Sequence, residues 1–348
     1  MTRRTIAAAS ALVALLGSTA AFAQADGSTV AFLMPDQGST RYEEHDFPGF
    51  QAAMTELCPT CTVIYQNANG DVALQQQQFN SVIAQGATAV VLDPVDSTAA
   101  ASLVAQAQSQ GIKVVAYDRP IPDQPADYYV SFDNEGIGYA IAQSLVDKLK
   151  ADGAAEGASV LQINGSPTDA AAGLIRDGVD RALDASGFET VAEFDTPNWA
   201  PPEAQEWTSG QITRFGADIV GVVAANDGTG GGAVAAFKAA GVDPVPPVTG
   251  NDATIAALQL IIAGDQYNTI SKPSEIVARA AAEVVVGLLN GETPEATTTL
   301  YDTPSQLFVP AVITQENIKA EIFDAGITPV ADVCTAEYAE ACTALGIE

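Results

Sequence analysis

Basic residues are scarce in this chain of 348 residues: 14 Lys and Arg stand against 43 Asp and Glu, a net charge of −29. A surface that negative repels a phosphate backbone, which argues against nucleic acid as a partner. The acids are mostly scattered, as on a solvated surface, rather than gathered into a tail. Histidine occurs once, as His45. A lone imidazole is too little for a zinc site, no Ser-His-Asp pattern surrounds it, and no metal or cofactor is expected. Apolar runs of the roughly 20 residues needed to span a bilayer are missing as well.

What is there begins with Arg3 and Arg4, an apolar run over 6–16, and Ala21-Phe22-Ala23 ahead of Gln24. This is the pattern of a secretory signal peptide over residues 1–23, ending in an A-x-A cleavage site. The exported chain would start at Gln24, carry a charge of −31 once Arg3 and Arg4 are gone, and work in the periplasm or otherwise outside the cytoplasm. The four cysteines stand as Cys58-Pro-Thr-Cys61 and Cys334…Cys342. In an oxidising compartment two local disulfides are the plainest arrangement, with pairing between the halves still open. A redox role for the first pair is disfavoured, because it follows a helix-like stretch and precedes a strand instead of opening a helix.

Short apolar strands alternate with helix-length segments along the chain. Strands are expected at 29–34, 62–67, 89–94 and 113–118, with helices up to 57 and over 71–85 and 97–110. A strand at 128–132 runs into Asp133-Asn134 and a helix to 150. The rhythm restarts with strands at 159–165, 189–194, 218–227 and 247–252, and helices over 169–186, 202–215 and 232–240. A strand at 267–272 and an Ala-rich helix over 274–290 follow. The fold class is therefore α/β: two doubly wound parallel-sheet units. The chain is expected to cross between them near 133, 272 and 302. That assigns 24–132 with 273–302 to one lobe, and 133–272 with 303–348 to the other.

Ligands of open parallel sheets bind beyond the carboxyl ends of the strands. Here those ends read Pro35-Asp36, Asn67, Asp93-Pro94, Asp118-Arg119, Asn164, Asn226-Asp227, Asn251-Asp252 and Ser271-Lys272. Carboxylates, amides, Arg and Lys together suit a ligand dense in hydroxyls, each hydroxyl donating to a carboxylate and accepting from a cation or amide. Arg119 is placed to brace Asp118. The flat faces of a sugar ring want an aromatic lid, for which Trp199, in a Pro- and Asn-rich loop, and Tyr42 are the candidates.

The segments AYDRPIPDQPADYYVSFDNEGIG (116–138), GSPTDA (165–170), NWAPPEA (198–204), AANDGTGGGA (224–233), TGNDA (249–253) and IIAGDQYNTISK (261–272) resemble the periplasmic substrate-binding proteins of sugar ABC transporters, especially the xylose-binding and multiple-monosaccharide-binding group. The likeness covers nearly all of the exported chain. It implies a two-lobed clamshell of the type I periplasmic binding protein fold, monomeric, that closes on a monosaccharide and delivers it to a membrane permease. By the resemblance, Arg41, Tyr42, Asp118 and Arg119 would come from the first lobe, Asp169, Trp199, Asn226 and Asp252 from the second, and Lys272 from a crossing. Asp118 and Asp252 would accept from hydroxyls, Arg41, Arg119 and Lys272 would donate, Asn226 would do both, and Trp199 and Tyr42 would stack on the ring. Where xylose-binding relatives carry Asn after the Asp of SPxD, this chain has Ala170 and Ala171.

Three rival readings are weaker. Gly228-Thr-Gly230-Gly-Gly-Ala233 fits a dinucleotide fingerprint with Asp252 further on, as in an NAD-dependent oxidoreductase. Asn226 and Asp227 would, however, set a carboxylate beside the pyrophosphate, and the glycines read better as a flexible turn opening a helix. A sugar-responsive transcription regulator lacks room for a DNA-binding helix pair before residue 28. A chemoreceptor partner keeps the same sugar site.

Overall fold

The computed structural model describes residues 25–37 and 41–348. The expected signal peptide lies outside them. The first unit opens β1 (Thr29–Met34), a short π-helical stretch over 42–46, α1 (Phe47–Leu57), β2 (Thr62–Asn67), α2 (Val72–Ala84), β3 (Ala87–Leu92), α3 (Ala100–Ser109), β4 (Lys113–Tyr117) and β5 (Tyr128–Phe132). Val30 to Met34 and Ala89 to Leu92 have no solvent exposure, as expected of parallel strands covered on both faces. The second unit holds α4 (Asn134–Ala151), β6 (Ser159–Asn164), α5 (Ala170–Asp184), β7 (Glu189–Asp195), α6 (Pro201–Phe215), β8 (Ile219–Ala224), α7 (Asp227–Ala239), α8 (Ile255–Ala263) and β9 (Thr269–Ser271). The chain returns through α9 (Ser274–Leu289), β10 (Thr298–Leu300) and β11 (Thr303–Phe308). It ends with β12 (Ala311–Ile313), α10 (Val330–Val333) and α11 (Ala339–Ala344).

The first sheet has the order β10-β11-β5-β4-β3-β1-β2, parallel except for the β10–β11 hairpin. Its register pairs Leu33 with Leu92 and Leu92 with Ala116, so the loops at Asp36, Asp93 and Asp118 leave from one edge. The second unit runs β7-β6-β8, is extended by a parallel bridge from Val222 to Val248, and meets the antiparallel pair β9–β12 through Tyr267 N–H donating to Val248 O at 2.8 Å. One core cluster, including Phe32, Phe50 and Tyr117, continues through Ile141 and Leu145 of α4, so the units share buried apolar surface.

Three expectations need correction. The third crossing does not fall at 302: β11 joins the first sheet, with Ser305 opposite Tyr129 and Phe308 opposite Phe132, and the chain leaves after Phe308. Tyr301 and Asp302 have φ of 48° and 58°, the pair of left-handed residues that a tight hairpin between β10 and β11 needs. Their turn chemistry marks a hairpin and not a passage between lobes. Second, the glycines at 228–232 form no flexible turn, because α7 already begins at Asp227. A Cβ on Gly230 would lie 2.6 Å from Thr249 O and one on Gly232 2.5 Å from Pro201 O, so they are small to let α7 pack closely. Third, α8 was not anticipated; its residues, IAALQLIIA, are too uniformly apolar to show a helical stripe.

Both local disulfides form, Cys58–Cys61 with Cα atoms 5.4 Å apart and Cys334–Cys342 with 6.0 Å. Among the described residues no helix is long and apolar enough to cross a membrane. Nor do three His, Cys, Asp or Glu side chains gather there as a metal site would need.

Candidate functional site

The sequence-derived residues converge. Arg41, Tyr42, Asp118, Arg119, Asp169, Trp199, Asn226, Asp252 and Lys272 all line one cleft between the two sheets' carboxyl edges. Free space among the side chains is about 30 Å³, room for a water molecule or two. A larger ligand enters only if the walls part.

Asp118 sits in a left-handed turn at the end of β4, φ 56°, which Asp tolerates better than most residues. Its carbonyl accepts from Tyr129 Oη at 2.7 Å and Ser131 Oγ at 2.8 Å, which pins the turn and aims the carboxylate into the cleft. The carboxylate is gripped by Arg41 Nη2 at 2.6 Å and accepts from Tyr42 Oη at 2.9 Å. Burial opposes its ionisation, but Arg41, with Lys272 and Arg119 behind it, holds it well below the usual carboxylate range. Arg41 is itself only 6% exposed and also reaches Asp46 Oδ1 at 3.1 Å, to which Tyr117 donates. Burial outweighs these partners at Asp46 and raises its pKa.

Arg119 does not brace Asp118, as the sequence suggested. It reaches the other way, to Asp36 Oδ2 at 2.7 Å and Pro94 O at 3.1 Å. Its Nε lies 3.2 Å from Asp169 Oδ2, across the cleft, and 3.6 Å from Asp93 Oδ1. Asp93 is fully buried, neither oxygen has a hydrogen bond among the described residues, and burial pushes its pKa up despite Arg119. Asp169 caps α5 by accepting from Ala171 N–H at 2.8 Å, and its other oxygen accepts from Trp199 Nε1 at 3.0 Å. Burial raises it too, against Arg119. The indole is let in by Gly165, where a Cβ would stand 2.0 Å from its Cη2. Tyr42 is 2% exposed and committed through its hydroxyl to Asp118, so its placement suits a bracing role better than an open stacking face.

On the second unit's edge, Asn226 Oδ1 accepts from Thr229 N–H at 2.9 Å as a helix cap. Lys272 Nζ pairs with Asp252 Oδ1 at 2.7 Å, both nearly buried. Behind Asp252 stands Asp227, which sequence reasoning passed over. Its Oδ2 accepts from Thr254 N–H at 2.8 Å, and its Oδ1 from Thr269 Oγ1 at 2.7 Å and Gln266 Nε2 at 3.2 Å, tying α7, α8 and β9 together. Burial, with Asp252 adding to it, lifts Asp227 to about 7. Asn251 and Asn134 also line the cleft and were not singled out; both follow or form polar strand ends, the signal that marked their neighbours. Asn251 Oδ1 is buried with no partner among the described residues. At the outer lip, Ser97 N–H donates to Thr168 O at 3.0 Å and Ala170 N–H to Ser97 Oγ at 3.1 Å, fastening one unit to the other.

Chemically, the cleft offers fixed donor–acceptor pairs at Arg41–Asp118, Arg119–Asp169 and Lys272–Asp252, plus an indole. Neighbouring hydroxyls of one ligand need donors and acceptors set side by side in this way.

The profile of the periplasmic binding protein domain matches residues 30–293. The chain is 35% identical to the D-xylose-binding periplasmic protein of Escherichia coli (strain K12), over 76% of this chain and 81% of that one. It is 29% identical to the multiple sugar-binding periplasmic receptor ChvE of Rhizobium radiobacter, over 92% and 96% respectively. In three dimensions it resembles an ABC transporter solute-binding protein from Clostridium phytofermentans with bound β-D-glucose, at a TM-score of 0.80 and 27% identity, covering 88% of this chain and all of that one. With its matching profile and its two doubly wound sheets facing one cleft, the chain belongs to the periplasmic binding proteins and has their type I fold.

Proposed function

We propose that the chain is an extracytoplasmic receptor that captures a monosaccharide, xylose or a related aldose, between two lobes and delivers it to the permease of an ABC importer. The observation that carries the reading is the set of three cation–carboxylate pairs in one cleft beside Trp199. Its similarity to the xylose-binding and multiple sugar-binding proteins supports it. The lobes are residues 25–132 with 273–308 and residues 133–272 with 309–348, joined by three strands of chain that bend as the cleft opens. Asp118 and Asp252 accept from sugar hydroxyls, Arg41, Arg119 and Lys272 donate, Asn226 contributes its amide, and Trp199 covers a ring face. Asp169 holds the indole and Arg119 in place. The protein acts as a monomer in the periplasm, and it binds without a chemical step. Its fixed pairs complement a ground-state sugar rather than a developing charge.

Titration calorimetry of the purified chain against D-xylose, D-glucose, D-galactose, L-arabinose and D-ribose tests this. Tight, one-to-one binding of at least one is expected. Silence across the panel in folded, ligand-free protein would sink the proposal.

A further inference from the structure

Arg119 stands between two buried carboxylates that belong to different lobes. Asp93 follows β3 in the first lobe, where its N–H donates to Leu33 O at 2.9 Å and its carbonyl accepts from Gln75 Nε2 at 2.8 Å. Asp169 caps α5 in the second lobe. Arg119 is anchored to the first lobe through its two Nη atoms, which donate to Asp36 Oδ2 at 2.7 Å and Pro94 O at 3.1 Å. Its Nε is left between the two carboxylates, 3.2 Å from Asp169 Oδ2 and 3.6 Å from Asp93 Oδ1. Nε and both oxygens of Asp93 are buried and make no hydrogen bond among the described residues. Unpartnered buried polar atoms are rare and costly, and 3.6 Å is beyond hydrogen-bond reach. A donor and an acceptor that could satisfy each other are thus held just apart.

With the lobes together, the Asp169 carboxylate holds the nearer place at Nε. When they part, Asp169 leaves with α5, while Asp36, Pro94 and Asp93 stay beside Arg119 on the first lobe. Closing therefore replaces an ion pair inside one lobe by one across the cleft, and strands Asp93 without solvent exposure. A stranded buried carboxylate takes a proton in preference to staying charged. Burial does push Asp93 up in the closed form; Arg119 and Arg41 oppose the rise, and Asp118 and Asp169 add to it. Tyr42 and Tyr129 complete the titratable groups around it.

We propose that Asp93 is a positioning residue for sugar capture: it receives Arg119 Nε when the cleft opens, yields it to Asp169 when the cleft closes, and then takes up a solvent proton on a carboxylate oxygen. The proposal rests on the two-lobed closure in the reading above and goes beyond it, since Asp93 is not among the residues that line the cleft. Proton uptake on closing means that sugar affinity falls as pH rises. The other raised carboxyls do not predict this. The partners of Asp227, namely Thr254, Thr269 and Gln266, all lie in the second lobe, and Arg41 and Tyr117, the partners of Asp46, in the first, so opening separates neither set. Asp169 gains Arg119 on closing, which favours its ionised form and release of a proton.

Calorimetry with D-xylose, or with whichever sugar of the panel binds, tests the coupling when run in phosphate and in Tris, buffers of different ionisation enthalpy. Net proton uptake is expected, with affinity at least tenfold higher at pH 5 than at pH 8. Asp93→Asn, neutral at every pH, should show no uptake, vary less than threefold over that range, and bind at least as tightly as wild type at pH 8. Equal wild-type affinity at pH 5 and 8, or a dependence that survives in Asp93→Asn, overturns the proposal and leaves sugar binding intact. Should Asp93→Asn fail to melt cooperatively, Asp169→Asn decides, because it leaves Nε to Asp93 in both states: weaker binding without proton uptake supports the exchange, and unchanged uptake overturns it. If no sugar binds, the monosaccharide reading falls, and X-ray scattering from the ligand-free chain decides the exchange alone. A radius of gyration smaller at pH 5 than at pH 8 in wild type supports it, and one that does not change with pH overturns it.

Discussion

Asp118→Ala removes the carboxylate on which the first wall of the cleft is centred. In the intact protein Arg41 Nη2 at 2.6 Å and Tyr42 Oη at 2.9 Å hold it in place. Two hydrogen bonds from sugar hydroxyls to a charged acceptor contribute about 1.5–3 kcal/mol each. Losing both costs about 3–6 kcal/mol, a fall in affinity of roughly 10²- to 10⁴-fold. The fold should survive. Stranding a buried ion costs about 3–5 kcal/mol, but Arg41 keeps Asp46 at 3.1 Å and is not stranded. Asp118→Asn retains one acceptor and should lose less affinity than the alanine variant. Because Arg41 holds the folded pKa of Asp118 below its unfolded value, its ionised form and its contribution to stability persist above the ordinary carboxylate range. They are lost only as pH falls below about 4, so this residue predicts flat binding between pH 5 and 8. Calorimetry alongside thermal unfolding reads both effects. Wild-type affinity in an Asp118→Ala protein with an unchanged melting curve would refute the placement of the sugar at this turn.

The raised carboxylates predict the opposite pH behaviour for stability. A carboxyl whose folded pKa lies above its unfolded value stabilises most below the unfolded pKa, and loses that contribution as pH rises through the folded one. With Asp227 at about 7, and Asp46, Asp93 and Asp169 raised by burial, the melting temperature should be lower at pH 8 than at pH 5. Asp227→Asn should shrink that difference in a calorimetric scan; an unchanged difference would show that Asp227 does not titrate in this range. Paired Cys334→Ser and Cys342→Ser replacement opens a short loop and should cost about 2–3 kcal/mol in denaturant unfolding. Tryptophan emission offers a direct report on the site, since Trp199 lies in the cleft whereas Trp207 stacks on Phe194 at 5.4 Å. Ligand should change the emission of the wild type and of Trp207→Phe, and leave Trp199→Phe silent. Gly165→Ala, whose Cβ would collide with the indole, should weaken binding about tenfold or more, and wild-type binding would show that the indole does not cover the ligand.

Much of this architecture follows from the order of residues alone. Buried parallel strands read as unbroken apolar runs, so Val30–Met34 and Val114–Tyr117 announce themselves without a partner strand in view. Polar residues crowd the ends of those strands, which is where a doubly wound sheet presents its ligand, and Asp118, Arg119, Asn226, Asp252 and Lys272 from those ends do share one cleft, with the aromatic candidates Tyr42 and Trp199 and with Arg41 and Asp169, which the family resemblance supplied. The two cysteine pairs were legible because each is local. Pairing across the chain was not. Arg119 adjoins Asp118 in sequence, yet a left-handed turn sends their side chains apart, and the partner of Asp118 is Arg41, which the helical stretch after β1 brings to the same edge. Asp227 looks like one more helix-capping acid until α8 and β9 close around it. The strand at Thr303–Phe308 carries no mark of which sheet it joins. An open edge beside Tyr128–Phe132, reached by a hairpin turn at Tyr301-Asp302, decided that. Local patterns of burial and turn chemistry are written along the chain, whereas the identity of a charge's partner depends on register and proximity, which exist only once the sheets have assembled.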